Sequence, residues 1–235
     1  MRKWTIVEAS HELWHIWYTN RKGLIIGQSR LTVPPKALWN PQEMAKMIEE
    51  RFPPGKLLFL LSTGASIVRV GEVDLEKTFG AEYVFSEGKL GGISWITALP
   101  LEISEALVEL CRLKGLRFGR IKTIDTLEYR LANYFKNENS FWLFVPQELG
   151  IRLVTMEKGI PLGCYFFSNA PDFRVKELTR LWHHQNTPPK SAYVASDTLT
   201  WLREFLEEKS VKVIEGDVMQ DMIEDWIRNG VESHY

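Results

Sequence analysis

The sequence predicts an α/β protein of two similar lobes, and three observations carry that expectation. Each half opens on three short runs rich in branched and aromatic residues, separated by turn residues. Each half then alternates strand-like runs with amphipathic helices. A polar stretch, Lys136-Asn137-Glu138-Asn139-Ser140, stands between the halves. Both read as three antiparallel strands, a helix, a strand, a helix, a strand and a helix, the first with an added segment. A repeat this long indicates duplicated lobes, not a solenoid period. Three antiparallel strands followed by strand–helix alternation imply a mixed sheet with helices on its faces. The expected lobes are residues 1–137, with a small insertion at about 63–92, and residues 138–235.

In the first lobe the strands are Trp4 to Val7, Leu13 to Tyr18 and Leu24 to Val33, the last following a Lys22-Gly23 turn and stopped by Pro34-Pro35. Asn40-Pro41 opens a helix, an N-cap followed by proline in the first turn. Its apolar face is Met44, Met47, Ile48 and Phe52, and Pro53-Pro54-Gly55 ends it. Leu57 to Leu61 is a continuous apolar run, as expected of a strand covered on both faces. Residues 63 to 92 read as short strands, Ile67 to Val70 and Tyr83 to Phe85, joined by glycine-containing turns. The main pattern resumes with a strand from Ile93 to Leu99. A helix follows with Ile103, Leu107, Leu110 and Cys111 on one face, stopped by Gly115. Phe118 to Ile124 is the next strand, and Asp125 is placed to cap a helix carrying Leu127, Leu131 and Phe135.

The second lobe repeats this order without the insertion. Its three strands are Phe141 to Val145, Ile151 to Met156 and Ile160 to Phe167, with Lys158-Gly159 as a hairpin turn. A helix with Val175, Leu178, Leu181 and Trp182 leads to the strand Ala192 to Ala195. Next come a helix with Leu199, Leu202, Phe205 and Leu206, the strand Val211 to Ile214, and a last helix lined by Met219, Met222, Ile223 and Trp226.

Hydrophobic residues make up 45% of the chain and charged residues 25%, ordinary values for a globular protein. A net charge of -1 argues against general nucleic-acid binding. The N-terminal residues run straight into a strand and do not resemble a signal peptide, and no apolar run approaches the roughly 20 residues of a membrane span. A cytoplasmic protein is expected, held at a membrane only through a partner. Cys111 and Cys164 lie far apart in apolar segments and read as buried thiols. His183-His184 ends a helix, where positive charge is favoured, and two adjacent helical residues face different directions, which does not suit one metal. No metal site and no serine or cysteine nucleophile is expected. Ser62-Thr63-Gly64-Ala65-Ser66 lacks the lysine of a phosphate loop and reads as a turn. Of the nine tryptophans, Trp14 and Trp17 should face opposite sides of their strand.

The duplicated pattern resembles the actin, Hsp70 and sugar-kinase fold, whose lobes are RNase H-like. Within that group the chain is similar to the type IV pilus assembly protein PilM and the cytoplasmic region of the type II secretion protein GspL. Three stretches carry the resemblance. They are Trp4 to Trp17; Trp95-Ile96-Thr97-Ala98-Leu99-Pro100 through Gly115-Leu116 to Ile124-Asp125-Thr126-Leu127-Glu128-Tyr129-Arg130-Leu131; and the hairpin Ile151 to Ser168. The family has a longer segment between the strands at 57 to 61 and 93 to 99.

The resemblance implies a nucleotide site made by two hairpins, each with an aspartate near Mg²⁺ followed by a glycine that lets backbone N–H groups approach the phosphates. A glycine pair near the C-terminus would lie against adenosine. On this sequence the first motif falls on Glu8-Ala9-Ser10, with His11 next. A carboxylate survives and the glycine is lost, so Glu8, Ser10 and His11 are candidates for a vestigial phosphate loop. The second motif falls near Val145-Pro146-Gln147, with Glu148 the only acid close by; valine cannot help to hold a metal, and proline lacks an N–H. The third falls near Ala195-Ser196-Asp197. With three defects, no catalytic residue is assigned and no cofactor is expected, ATP included. A nuclease of related fold would need clustered carboxylates for two metals, for which Glu8, Asp125 and Glu128 are the candidates. The resemblance thus implies a pseudo-ATPase, an interaction scaffold of a pilus or secretion-type platform. Its expected partner is a membrane-anchored protein with a short cytosolic tail, and self-association is a further expectation. The alternative is a working ATPase or small-molecule kinase of the same fold.

Overall fold

A computed structural model describes residues 4–9, 13–34, 37–51, 56–61, 67–90, 92–114, 121–123, 128, 130–132, 135, 137–147, 150–168, 171–185, 187–195 and 200–228. Ser10, His11, the 62–66 turn, Asp125, Glu148, Ser196 and Asp197 lie outside the described residues.

The first sheet joins β1 (Trp4–Ala9), β2 (Leu13–Thr19), β3 (Ile25–Thr32), β4 (Lys56–Leu61) and, reached after an inserted sheet, β8 (Ile121–Thr123), in the order β3-β2-β1-β4-β8. The second sheet joins β9 (Ser140–Gln147), β10 (Gly150–Glu157), β11 (Ile160–Ser168), β12 (Ser191–Ala195) and β13 (Lys212–Gly216), in the order β11-β10-β9-β12-β13. The two orders are equivalent, and so are the directions. The first three strands of each sheet pair antiparallel, and the last two join parallel. Parallel neighbours require crossover connections, and helices supply them. These are α1 (Pro41–Arg51) and α3 (Leu101–Lys114) in the first half, α4 (Pro171–His184) and α5 (Thr200–Glu208) in the second; α6 (Val218–Arg228) closes the described chain.

Local chemistry sets the element ends. The Asn40 side chain accepts a hydrogen bond from the Glu43 N–H at 3.1 Å, capping α1 as its sequence predicts. Lys158 and Gly159 both have positive φ, 51° and 77°, as a two-residue type I′ hairpin requires. Asp217 caps α6 by accepting from the Gln220 N–H at 2.8 Å.

The insertion is larger and more ordered than its sequence suggests. β5 (Ile67–Val70), β6 (Tyr83–Leu90) and β7 (Ile93–Pro100) form their own three-stranded antiparallel sheet with β7 in the centre. The strand from Ile93, expected to resume the main pattern, therefore belongs to the insertion. Ile96 and Ala98 are buried there against Ile67, Val73, Leu75 and Tyr83. A run covered on both faces reads alike in any sheet. A short helix, α2 (Leu75–Phe79), capped by Asp74, adds an element where glycine turns alone were expected.

Alternation along β1 sends its side chains to two different cores. Val7 and Ala9 join Trp14, Leu38, Met44, Ile103, Leu107 and Leu110 under α1 and α3. Trp4 and Ile6 join Trp17 and Leu58 on the other face, in one continuous cluster with Phe141, Leu143, Val145, Val154 and Met156 of the second sheet. Leu131 and Ala132, and Met222, Ile223, Trp226 and Ile227 of α6, belong to the same cluster. Trp14 and Trp17 thus do face opposite sides. The seam between the two halves is a packed apolar core, and each large side chain fully buried in it contributes about 1.5–3 kcal/mol.

Candidate functional site

The strands of both hairpins, β1–β2 and β9–β10, contribute side chains to this seam, and the candidate residues lie on them. In the first hairpin Glu8 pairs with His15 across β1 and β2, and His15 with Arg30 across β2 and β3. Alternation puts Glu8 on the same face as Trp4 and Ile6. Arg30 Nε donates to His15 Nε2 at 2.8 Å. An accepting Nε2 places the imidazole proton on Nδ1, which lies 3.7 Å from Glu8 Oε2. The His15 ring stands 4.9 Å from that of Trp17. Carboxylate, imidazole and guanidinium so form a row across three strands, and the surviving acid leans on a neighbour in its own sheet.

In the second hairpin Val145 is paired with Arg152 and Pro146 with Ile151. Val145 is fully buried in the seam. The position that the resemblance gives to a metal-holding acid is therefore part of the core, and the residue opposite it carries a guanidinium. Arg152 itself is 5% exposed.

At the third motif, Ala195 ends β12. Two residues earlier, Tyr193 turns into the seam and donates its hydroxyl to Asp221 of α6. The Phe135 ring lies 5.4 Å from Tyr193 and 4.9 Å from Phe141, so three aromatic rings fill the seam beside β9 and β12. Gly216 makes room for this arrangement, because a Cβ there would run into the Tyr193 hydroxyl.

Glu128 sits in a short helical run with Arg130, Leu131 and Ala132, and it is completely buried. Its Oε2 lies 4.0 Å from Arg152 Nη1, across the seam. Burial pushes its carboxyl up to about 8. Considered as a nuclease ligand alongside Glu8 and Asp125, Glu128 instead faces a cation. Among the described residues no group of three or more His, Cys, Asp or Glu is placed to hold a metal ion. Burial also pushes the Cys164 thiol up to about 12, far from a reactive thiolate. His183 and His184 are exposed at the end of α4. The Glu128–Arg152 and Tyr193–Asp221 contacts are absent from the sequence-level expectations. One signal was available for the first: a lone arginine in the apolar run Ile151 to Val154 needs a partner if the strand is covered on both faces.

Two mixed sheets of equivalent order, with an insertion in the first half and a shared apolar seam, define a two-lobed protein of the actin-like ATPase fold. The chain is similar in structure to a protein with actin-like ATPase fold and unknown function from Bacteroides thetaiotaomicron, with a TM-score of 0.64 and 11% identity over 94% of this chain and 95% of that one. It is also similar to the PilM-PilN type IV pilus biogenesis complex, with a TM-score of 0.58 and 13% identity over 91% of this chain and 88% of that one. A third similarity is to the cytoplasmic domain of EpsL, an inner membrane component of the type II secretion system of Vibrio cholerae, with a TM-score of 0.50 and 11% identity over 95% and 93% of the two chains. At these identities the shared property is the fold. No protein-family model and no curated protein matches the chain. Among the described residues no helix is long and apolar enough to cross a membrane.

Proposed function

We propose that this chain is a non-catalytic scaffold of the actin-like fold, working in a pilus- or secretion-type assembly platform on the cytoplasmic side of an inner membrane, where it binds the cytosolic tail of a membrane-anchored partner. The observation that carries the non-catalytic half is the closed seam. Val145, the position that the resemblance gives to an acid near Mg²⁺, is buried, and Phe135, Phe141 and Tyr193 pack together in the seam between the halves. Neither feature suits a charged, hydrated ligand. The platform half rests on likeness in fold to PilM and to the EpsL cytoplasmic domain. A tail bound as an extended peptide or short helix would use the general modes by which folded domains capture such segments.

The rival is an active ATPase or kinase, and Glu8 is the residue that favours it, since it keeps a carboxylate on the seam face of the first hairpin. Titration calorimetry with ATP and Mg²⁺ separates the two. The scaffold gives no heat of binding at micromolar concentrations. Micromolar binding, weakened by Glu8→Ala, would overturn it. For the partner, the probe is a synthetic peptide of the cytosolic tail of a single-span protein encoded beside this gene. Saturable binding is expected, and a metabolic operon with no such neighbour removes the ground for the platform.

A further inference from the structure

The seam holds one feature that neither scaffold nor ATPase function requires. Glu128 comes from the short helical run that follows the first sheet, and Arg152 from β10 of the second. The carboxyl is fully buried, and among the described residues neither of its oxygens has a hydrogen-bond partner. Arg152 Nη1 at 4.0 Å is too far for the short, bidentate contact that makes an arginine–carboxylate pair strong. Attraction at that separation does not repay the loss of water around an ionised carboxylate.

The titratable and charged groups facing Glu128 come from each element packed around it. Among the described residues they are Arg152 on β10 and Cys164 on β11; the exposed Arg69 on β5, which donates to the Val68 carbonyl at 3.0 Å, acts on Cys164. Cys164, kept a neutral thiol by burial, can ionise only to an anion, so in neither state does it compensate the carboxylate. Arg130, on Glu128's own helical run, is half-buried. Leu131 and Ala132, next in that run, are buried in the core that both halves share. Any movement that brings water to Glu128 must therefore loosen the seam.

We propose that Glu128 and Arg152 form a proton-operated latch on the seam: with the carboxyl protonated the two halves close over the pair, and with it ionised the seam around it loosens. The latch is independent of nucleotide or partner binding. It works because a neutral carboxyl tolerates the dry seam and an ionised one does not. Local opening of this kind needs only the elements that touch the pair, not separation of the lobes.

Three measurements on the full chain test it. At neutral pH the infrared spectrum should contain the carbonyl stretch of a protonated carboxylic acid, missing from Glu128→Gln. Hydrogen-exchange protection factors in β10, β11 and residues 128–132 should fall on the order of a hundredfold or more between pH 5 and pH 9, since each pH unit between a free and a buried carboxyl is worth tenfold. Protection in α4 and α5, which pack on the outer face, should not change. In Glu128→Gln the pH response should vanish. An ionised carboxyl at neutral pH, or wild-type protection around the pair that is flat with pH, overturns the latch. So does an equal response in Glu128→Gln. If that variant fails to fold, the two wild-type measurements still decide.

Discussion

Ile227 of α6 packs onto Gly23, the turn residue between β2 and β3, so the end of the described chain closes onto its beginning; a Cβ at Gly23 would stand 2.5 Å from Ile227 Cγ2. Gly23 also has φ +86°, a conformation that side chains resist. Gly23→Ala should therefore cost about 2 kcal/mol or more, from backbone strain and overpacking together. Urea denaturation checks this. Ile227→Ala, which removes Cγ2, should make Gly23→Ala cheaper, so that the double change costs less than the sum of the two, whereas a purely backbone effect would leave them additive.

Val145→Asp, which restores the acid of an actin-type second hairpin, should not restore nucleotide binding. Val145 is fully buried in the seam core, so the substitution buries a charge among apolar side chains. The expected cost is about 3 kcal/mol or more. Denaturation midpoints and calorimetry with ATP and Mg²⁺ read the two effects separately.

Stability should fall as pH rises through neutrality. Burial raises the Glu128 carboxyl from 4.5 to about 8, so the folded chain holds a proton that the unfolded chain releases between those values. The stability this contributes is complete below about pH 4.5 and is lost as pH climbs to about 8. Glu128→Gln should match the wild type at pH 5 and exceed it at pH 9 by roughly 2–4 kcal/mol. Thermal melts across that interval give the comparison.

The outer core of the second half hinges on Trp142. It is 1% exposed and meets Phe144 and Trp182 edge-on, at centroid distances of 5.9 and 5.5 Å. Trp142→Ala should cost about 3–5 kcal/mol. The half-buried Trp182 should cost less when truncated, and near-ultraviolet circular dichroism will register the loss of both ring contacts.

Much of the fold was legible because period alone specifies it. The alternation in Leu13 to Tyr18 sends Trp14 and Trp17 to different cores, and the type I′ turn follows from Lys158-Gly159. The Asn40 cap needed only its neighbours in the chain. Sheet membership was not legible in the same way. Ile93 to Leu99 carries the pattern of a covered strand, but which strands cover it is decided by β5 and β6 on either side. The site was legible in part. That Val145, near the position the resemblance gives to an acid, is apolar could be read directly, whereas the pairing of Glu128 with Arg152 joins residues from different elements that no local period connects.

By itself the sequence determined most of the secondary structure and the duplication, because these depend on side-chain type and on spacing within a few residues. Only the tertiary structure decided that the insertion has its own sheet, that the seam is a continuous apolar core, and that a buried carboxyl faces a guanidinium across it. Those outcomes depend on how distant segments pack, and packing is settled by the burial of whole surfaces rather than by local propensity.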